Sequence, residues 1–291
     1  MFGATSTRIA VLPERMDGAR LRARIEARLD ALCDRGQPLH DAMRYALVAP
    51  GKRMRPLLVM LIAGDRPQAL DAACAVEMVH AASLMLDDLP CMDDASLRRG
   101  RESAHRRYGE ATTILGGIGL IARAFEIVAG LEIEAARRAA LAQVLSRAIG
   151  ADGMAAGQDR DVAGLATTVE EIETVNRLKT AALFAAAARM GAILSDMEGE
   201  ALEEVEAFAT HFGMAFQIAD DALDYAESPQ GTGKDVGADA GKPTIHAAYG
   251  REAAGALRRG HLDAADAALA RAGIDRKALT LFMGPIREAM A

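Results

Sequence analysis

Ser83-Leu-Met-Leu-Asp87-Asp88-Leu-Pro-Cys-Met-Asp93 ends one apolar run, and Phe216-Gln-Ile-Ala-Asp220-Asp221-Ala-Leu-Asp224 lies in another. The reading of these two stretches decides the fold. Ahead of and within the second, apolar residues fall at Leu202, Val205, Phe208, Phe212, Phe216 and Ala219. Steps of three and four are the period of a helix. Gln217, Asp220, Asp221 and Asp224 then share one helical face, as do His80, Ser83, Asp87 and Asp88 in the first stretch. Asn176, Lys179 and Thr180 form a third such stripe. Each stripe taken alone also reads as the solvated side of an amphipathic helix. The helix before Asp87, however, is Ala, Val, Met and Leu nearly all round, so its few polar groups need an internal reason. Three such stripes point to a polar lumen inside a helical bundle, where metal and cofactor sites are built.

Helical spacing recurs over residues 19–34, 39–48, 68–88, 111–130, 134–157, 169–195 and 200–226, and Pro56 marks a helix start after Gly51-Lys52-Arg53. No strand alternation and no internal repeat is visible. Gly and Pro punctuate 64–67, 89–100 and 228–243, the last reading as a mobile loop. Gly153 and Gly157, one turn apart, read as a close helix approach. No linker divides the chain. The expected fold is all-α, a single domain over 1–291 with about ten or more helices around a central active-site cavity.

Composition agrees. The 291 residues are 51% apolar and 26% charged, with aromatics at 4% and no Trp, ordinary for a soluble globular protein. Abundant Ala with few β-branched runs favours helix. The net charge of -7 argues against general nucleic-acid binding. Cys33, Cys74 and Cys91 lack metal-type spacing, and an odd count fits a reducing compartment. The opening residues MFGATSTRIAVLPERM lack a signal-peptide pattern. The most apolar stretch, Thr112 to Leu131, carries Arg123 and Glu126, which argues against a membrane span. A cytoplasmic protein without stable membrane insertion is expected.

Aspartates one and four residues apart repel one another and need cations to stay ionised. Mg²⁺ suits them, because it takes a few carboxylates together with phosphate oxygens and water. The spacing and central Gly of an EF-hand are missing, and there is no Cys/His constellation for zinc. Basic residues gather at Lys52, Arg53 and Arg55, at Arg98, Arg99 and Arg101 with Arg106 and Arg107, and at Lys234 and Lys242. Arg forks and mobile Lys charges match phosphate. A basic loop or an RNA patch is the alternative for 98–107, and the adjacent acidic cluster favours phosphate.

These motifs, taken in order, resemble the trans-type isoprenyl diphosphate synthases over roughly residues 40 to 250. Ser83 to Gly100 is similar to the family's first aspartate-rich motif, with Pro90-Cys91 as its two-residue insertion. Phe216 to Asp224 is similar to the second. Gly51-Lys-Arg-Met-Arg-Pro56, Tyr108-Gly-Glu-Ala111, Lys179-Thr180, Lys234-Asp235 and Gly241-Lys-Pro-Thr244 follow the family's order. Within it, the chain most resembles bacterial geranylgeranyl diphosphate synthases of carotenoid pathways. Ala95, Ser96 and Ile118 stand where many members carry Asp, and Arg101-Glu102-Ser103 replaces a common Lys-Pro-Thr.

The resemblance implies head-to-tail condensation of isopentenyl diphosphate with an allylic diphosphate, and a homodimer. It implies Mg²⁺ held by Asp87, Asp88, Asp93, Asp220 and Asp224, with Asp221 supporting, about three ions per site and Mn²⁺ able to substitute. Arg98, Lys179, Thr180, Gln217, Lys234 and Lys242 would serve the allylic diphosphate, and Thr180 would also shield the allylic cation. Lys52, Arg55, His80 and Arg99 would hold isopentenyl diphosphate, although His80 also reads as a satisfied core histidine. No Ser/His/Asp or Cys/His pair is placed for covalent catalysis, and the departing diphosphate serves as base. In the family a bulky aromatic at the position of Ala82 stops growth at fifteen carbons. Ala82 and Ser83 leave space here, so geranylgeranyl diphosphate is expected over farnesyl diphosphate, with Phe125 or a partner's side chain as candidate pocket floor. A class I terpene cyclase is disfavoured by the Lys52/Arg55/His80 set. A non-catalytic subunit that redirects a partner synthase is disfavoured because both acidic motifs are present.

Overall fold

The structure is a computed structural model that describes residues 18–226 and 244–274, with Leu279 and Gly284; the side chains of 223–226 fall outside it. The described residues form twelve helices and one two-stranded hairpin. Helix α1 (Gly18–Ala31) buries Leu21, Ile25 and Leu29, four residues apart, the one-sided stripe of a helix packed on a core. Helix α2 (Pro38–Leu47) begins on Pro38. Helix α3 (Met54–Ala63) is buried over nearly its whole circumference. Pro56 sits in its first turn, where no intrahelical donor is lost. Helix α4 (Ala69–Asp87) is also buried for most of its length and packs against α1, α2, α3 and the later α6 and α10. An apolar helix with neighbours on every side is the central helix of a bundle.

After α4 come β1 (Leu97–Arg98) and β2 (Arg101–Glu102), antiparallel with Leu97 opposite Glu102, and the short α5 (Ala104–Tyr108). Two-residue strands are too short to show alternation, so no periodicity in the sequence marks them. Helix α6 (Glu110–Ala129) lies along α4. Helix α7 (Ala135–Ile149) and α8 (Met154–Val162) replace the single helix expected over 134–157. The break has a steric cause. A Cβ at Gly153 would stand 2.2 Å from the Ala148 carbonyl oxygen, and one at Gly150 would stand 2.8 Å from that of Ser146. Gly153 therefore serves a turn, whereas Gly157 does serve the close approach expected of it.

Helix α9 (Val169–Asn176) starts on a capping box. Glu171 N–H donates to Thr168 Oγ1 at 3.3 Å, and the Glu171 carboxylate accepts from Thr168 N–H at 3.0 Å. It runs into a π-helical segment, Arg177–Ala181, and then α10 (Ala182–Leu194). The uniform helix expected over 169–195 thus carries one wide turn. Helix α11 (Gly199–Ala226) and α12 (Ile245–Ala272), broken at Gly250, pack along each other. The main core gathers around Phe184, Phe208 and Phe212, and a smaller cluster of Ile172, Val175, Ile218 and Ile245 joins α9, α11 and α12.

By length and composition α4 and α6 are each apolar enough to cross a membrane. Helix α4 is mostly buried in the bundle. Helix α6 is not, and Ile114, Leu115 and Ile118 stand 41%, 56% and 57% exposed. Arg123 and Glu126, the charges that interrupt its apolar run, pair with each other at 2.7 Å.

Candidate active site

A cavity of about 460 Å³ opens between the C-terminal end of α4 and the later part of α11. Asp87, Asp93, Asp220 and Asp221 line it, with Lys52, Arg55, His80, Arg98, Arg99, Lys179, Thr180 and Gln217. Three stripes chosen from sequence therefore meet in one space. Lys234, Lys242, the 228–243 loop and the Asp224 side chain lie outside the described residues.

The two-residue insertion does not separate the carboxylates it interrupts. Asp93 N–H donates to the Asp87 carbonyl at 2.9 Å, and Met92 and Asp94 N–H both reach the Leu89 carbonyl. The loop thus folds back and returns Asp93 beside Asp87. Asp88 is set apart. Its side chain is buried, accepts from Arg98 Nε at 2.8 Å and from Arg98 Nη2, and faces a void of about 30 Å³ behind the main cavity. Ala82 is fully buried and does not line the main cavity, whereas Ser83 does. Ser83 Oγ donates back to the His80 carbonyl at 2.9 Å, so it presents a small surface to the cavity.

Burial pushes Asp87 up to about 6; Lys179 opposes this and Asp93 adds to it. Burial also holds Asp88 above the usual carboxylate range against the pull of Arg98. Asp87 and Asp88 sit at the C-terminus of α4, where the helix dipole disfavours negative charge. Anionic side chains from two helices converging beside that negative end are suited to multivalent cations.

Opposite them lies a cationic group. His80 Nε2 is 3.3 Å from Arg99 Nη2 and 3.5 Å from Arg55 Nη1. Burial, then Arg55 and Arg99, hold His80 well below its ordinary range. It is therefore neutral and accepts from both guanidinia. Arg55 stacks 4.2 Å over Phe184, and Lys52 lies 5.5 Å over Phe216, cation–π contacts that hold flexible cations in place. Thr180 Oγ1 donates to Gln217 Oε1 at 2.5 Å, and Gln217 Nε2 donates to Asp221 Oδ1 at 2.7 Å. Lys179 Nζ pairs with Asp161 Oδ2 at 2.5 Å.

The wide π turn is what presents Lys179 and Thr180, and such turns recur at functional sites. Gly157 of α8 lets it pack closely, since a Cβ there would stand 2.5 Å from the Lys179 backbone nitrogen. Asn176 is buried, lines the cavity, and its Nδ2 has no partner among the described residues. The sequence reading left Glu77, Asp161 and the Phe184/Phe216 platform without a role. Glu77 stands one turn before His80 and continues its stripe. Asp161 lies four residues beyond Gly157, on the face that meets the π segment.

Comparison with known proteins agrees with this geometry. The model of a family described as polyprenyl synthetase matches residues 36–265. The chain is 44% identical over 251 residues to a geranylgeranyl diphosphate synthase of Pseudescherichia vulneris, spanning 83% of this chain and 81% of that one. It is 40% identical over 215 residues to the farnesyl diphosphate synthase of Bacillus subtilis, spanning 71% and 73%. The crystal structure of a geranyltransferase from Helicobacter pylori, complexed with magnesium and isoprenyl diphosphate, superposes with a TM-score of 0.85 at 26% identity, covering 93% and 96%. The chain belongs to the polyprenyl synthetase family and is a polyprenyl diphosphate synthase of the trans-isoprenyl type.

Proposed function

We propose that this synthase condenses isopentenyl diphosphate head-to-tail with allylic diphosphates, dependent on Mg²⁺, and makes geranylgeranyl diphosphate. The observation that carries this reading is one cavity lined by aspartates from two helices together with separate cationic groups. The donors fit Mg²⁺. Among the described residues no three His, Cys, Asp or Glu side chains converge on one point, so a cage made of protein alone is not offered. Asp87 and Asp93 on one side and Asp220 on the other, with Asp224 one turn on, supply the few oxygens Mg²⁺ takes from protein beside phosphate and water. When bound, the ions neutralise the diphosphate and ease its departure.

The chain's own residues do the rest. Arg98 and Lys179 add charge for the allylic diphosphate, joined by Lys234 and Lys242. Asp88 acts through Arg98, which it holds in place. Asp161 holds Lys179, and Thr180, tied to Gln217, turns its oxygen to the allylic cation. Lys52, Arg55, Arg99 and neutral His80 hold isopentenyl diphosphate so that its double bond meets that cation. The proton lost after condensation goes to the departed diphosphate.

The small, back-bonded Ser83 supports a twenty-carbon product, as does the Pseudescherichia vulneris relative. The similarity to a farnesyl diphosphate synthase keeps fifteen carbons as the second reading. The pure protein, Mg²⁺, labelled isopentenyl diphosphate and each allylic primer test both: a twenty-carbon product supports the proposal, a fifteen-carbon one replaces it, and no turnover refutes the activity. Asp87→Ala and Asp220→Ala each lower turnover by orders of magnitude with helical circular dichroism retained.

We further propose a cytoplasmic homodimer, in which a second copy covers the apolar face of α6. Light scattering on wild type and Leu115→Asp tests it, with a monomeric wild type as the refuting result.

A further inference from the structure

Lys52, Arg53, Arg55 and Arg99 stand together on the isopentenyl diphosphate side of the cavity, and the carboxylate that reaches in among them is Glu77. Glu77 is 2% exposed. Its Oε1 accepts from Arg53 Nη1 at 2.5 Å, and Arg53 Nη2 donates to the Ala49 carbonyl at 2.7 Å. Half-exposed Glu26 lies 3.7 Å from Arg53 Nε, beyond hydrogen-bond reach. Arg53 caps α3 with φ 50 and ψ 36. That left-handed conformation is costly for a residue with a Cβ and persists only where its surroundings over-determine it. The clamp of Glu77 and Ala49 on Arg53 does so.

The consequence falls on the neighbours. The turn sends Arg53 inward to Glu77 while Lys52 and Arg55 line the cavity over Phe216 and Phe184. The Ala49 carbonyl also receives Arg99 Nη1 at 3.4 Å, and the Arg99 guanidinium lies 3.0 Å from where a Cβ on Gly51 would stand. The loop thus sets both edges of the subsite. We propose that Glu77 is a positioning residue for the isopentenyl diphosphate subsite, acting through Arg53 to fix the spacing of Lys52, Arg55 and Arg99. This rests on the assignment of those cations to isopentenyl diphosphate. Electrostatics agree. Burial pulls Arg55 down to about 10 and lowers Arg99, and in both cases Glu77 works against it.

The test is steady-state kinetics and thermal melting of Glu77→Gln, of the double variant Arg53→Met/Glu77→Leu, and of Lys52→Ala. The double variant replaces the ion pair with apolar groups, which folds tolerate better than an unpaired buried Arg. In both Glu77 variants the KM for isopentenyl diphosphate rises about tenfold or more. The KM for the allylic diphosphate stays within about twofold, and the double variant melts close to wild type. A rise in Lys52→Ala without one in the Glu77 variants overturns the proposal. So does an equal rise in both KM values with a loss of melting temperature, which marks a merely structural pair. No rise in Lys52→Ala means that the subsite assignment itself fails.

Discussion

Asp87→Asn separates what this carboxylate does for catalysis from what it costs the fold. Burial lifts Asp87 from 3.8 to about 6. A carboxyl whose folded pKa is raised binds its proton more tightly folded than unfolded. Its stabilisation is complete below the unfolded value of 3.8 and is lost as the pH rises through about 6. At about 1.36 kcal/mol per pH unit, that rise corresponds to roughly 3 kcal/mol. Asn has the same shape and no charge, so it escapes the loss. Between about pH 4.5 and 7.5 the wild type should lose about 2 kcal/mol relative to the Asn variant, or about 3 °C for a chain of this length, while the variant's turnover falls by orders of magnitude. The assay is thermal melting in a chelator from about pH 4.5 to 7.5, repeated with Mg²⁺ and an unreactive allylic diphosphate analogue. The ligand binds the native state and should favour the wild type. A stability difference that stays the same at every pH would show that Asp87 is not held ionised against its surroundings.

Gly157→Ala should lower both melting temperature and kcat, because its methyl group meets the Lys179 backbone at 2.5 Å; a loss of about 1–3 kcal/mol is expected from overpacking. Ser83→Phe should shorten the main product towards fifteen carbons, read by chain-length analysis, since Ser83 is the small residue that lines the cavity one turn before Asp87. His211 Nδ1 lies 3.0 Å from His261 Nδ1, and burial, then His261, lowers the His211 pKa. Stability should therefore fall as the pH drops below about 6.5, and His211→Asn should flatten that part of the melting profile.

The aspartates were legible in sequence because polar residues at helical spacing on an apolar helix leave few other readings. The bundle was legible for the same reason, since α4 and α11 carry unbroken three-and-four spacing. What stayed hidden depended on contacts between elements. Asp161 sits on α8, which looks like a polar surface helix until Gly157 is seen pressed against Lys179. Glu77 is one acid in an apolar run, and only the inward turn at Arg53 makes it a partner. Helix α12 went unread because its Ala residues alternate with charges on several sides, which blurs the helical period, and Gly250 interrupts it. The break at Gly150 to Gly153 is not legible because Gly153, one turn before Gly157, signals closeness equally well within a helix or at its end.

A π segment is an α-helix holding one residue too many, and each residue advances a helix by about 100°. The wide turn at 177–181 absorbs that residue and so holds the phase between α9 and α10. Helix α9 must turn Ile172 and Val175 towards α11 and α12, while α10 must turn Phe184 into the main core. One regular helix wound through the same residues would satisfy one of these demands and rotate the other out of alignment. Deleting that one residue would close the wide turn into a regular one and leave both halves facing as they do, at the cost of the turn that presents Lys179 and Thr180. A residue added to or removed from the regular helix on either side would instead swing one half by about 100°. Catalysis depends on an angle that the sequence stores as a count.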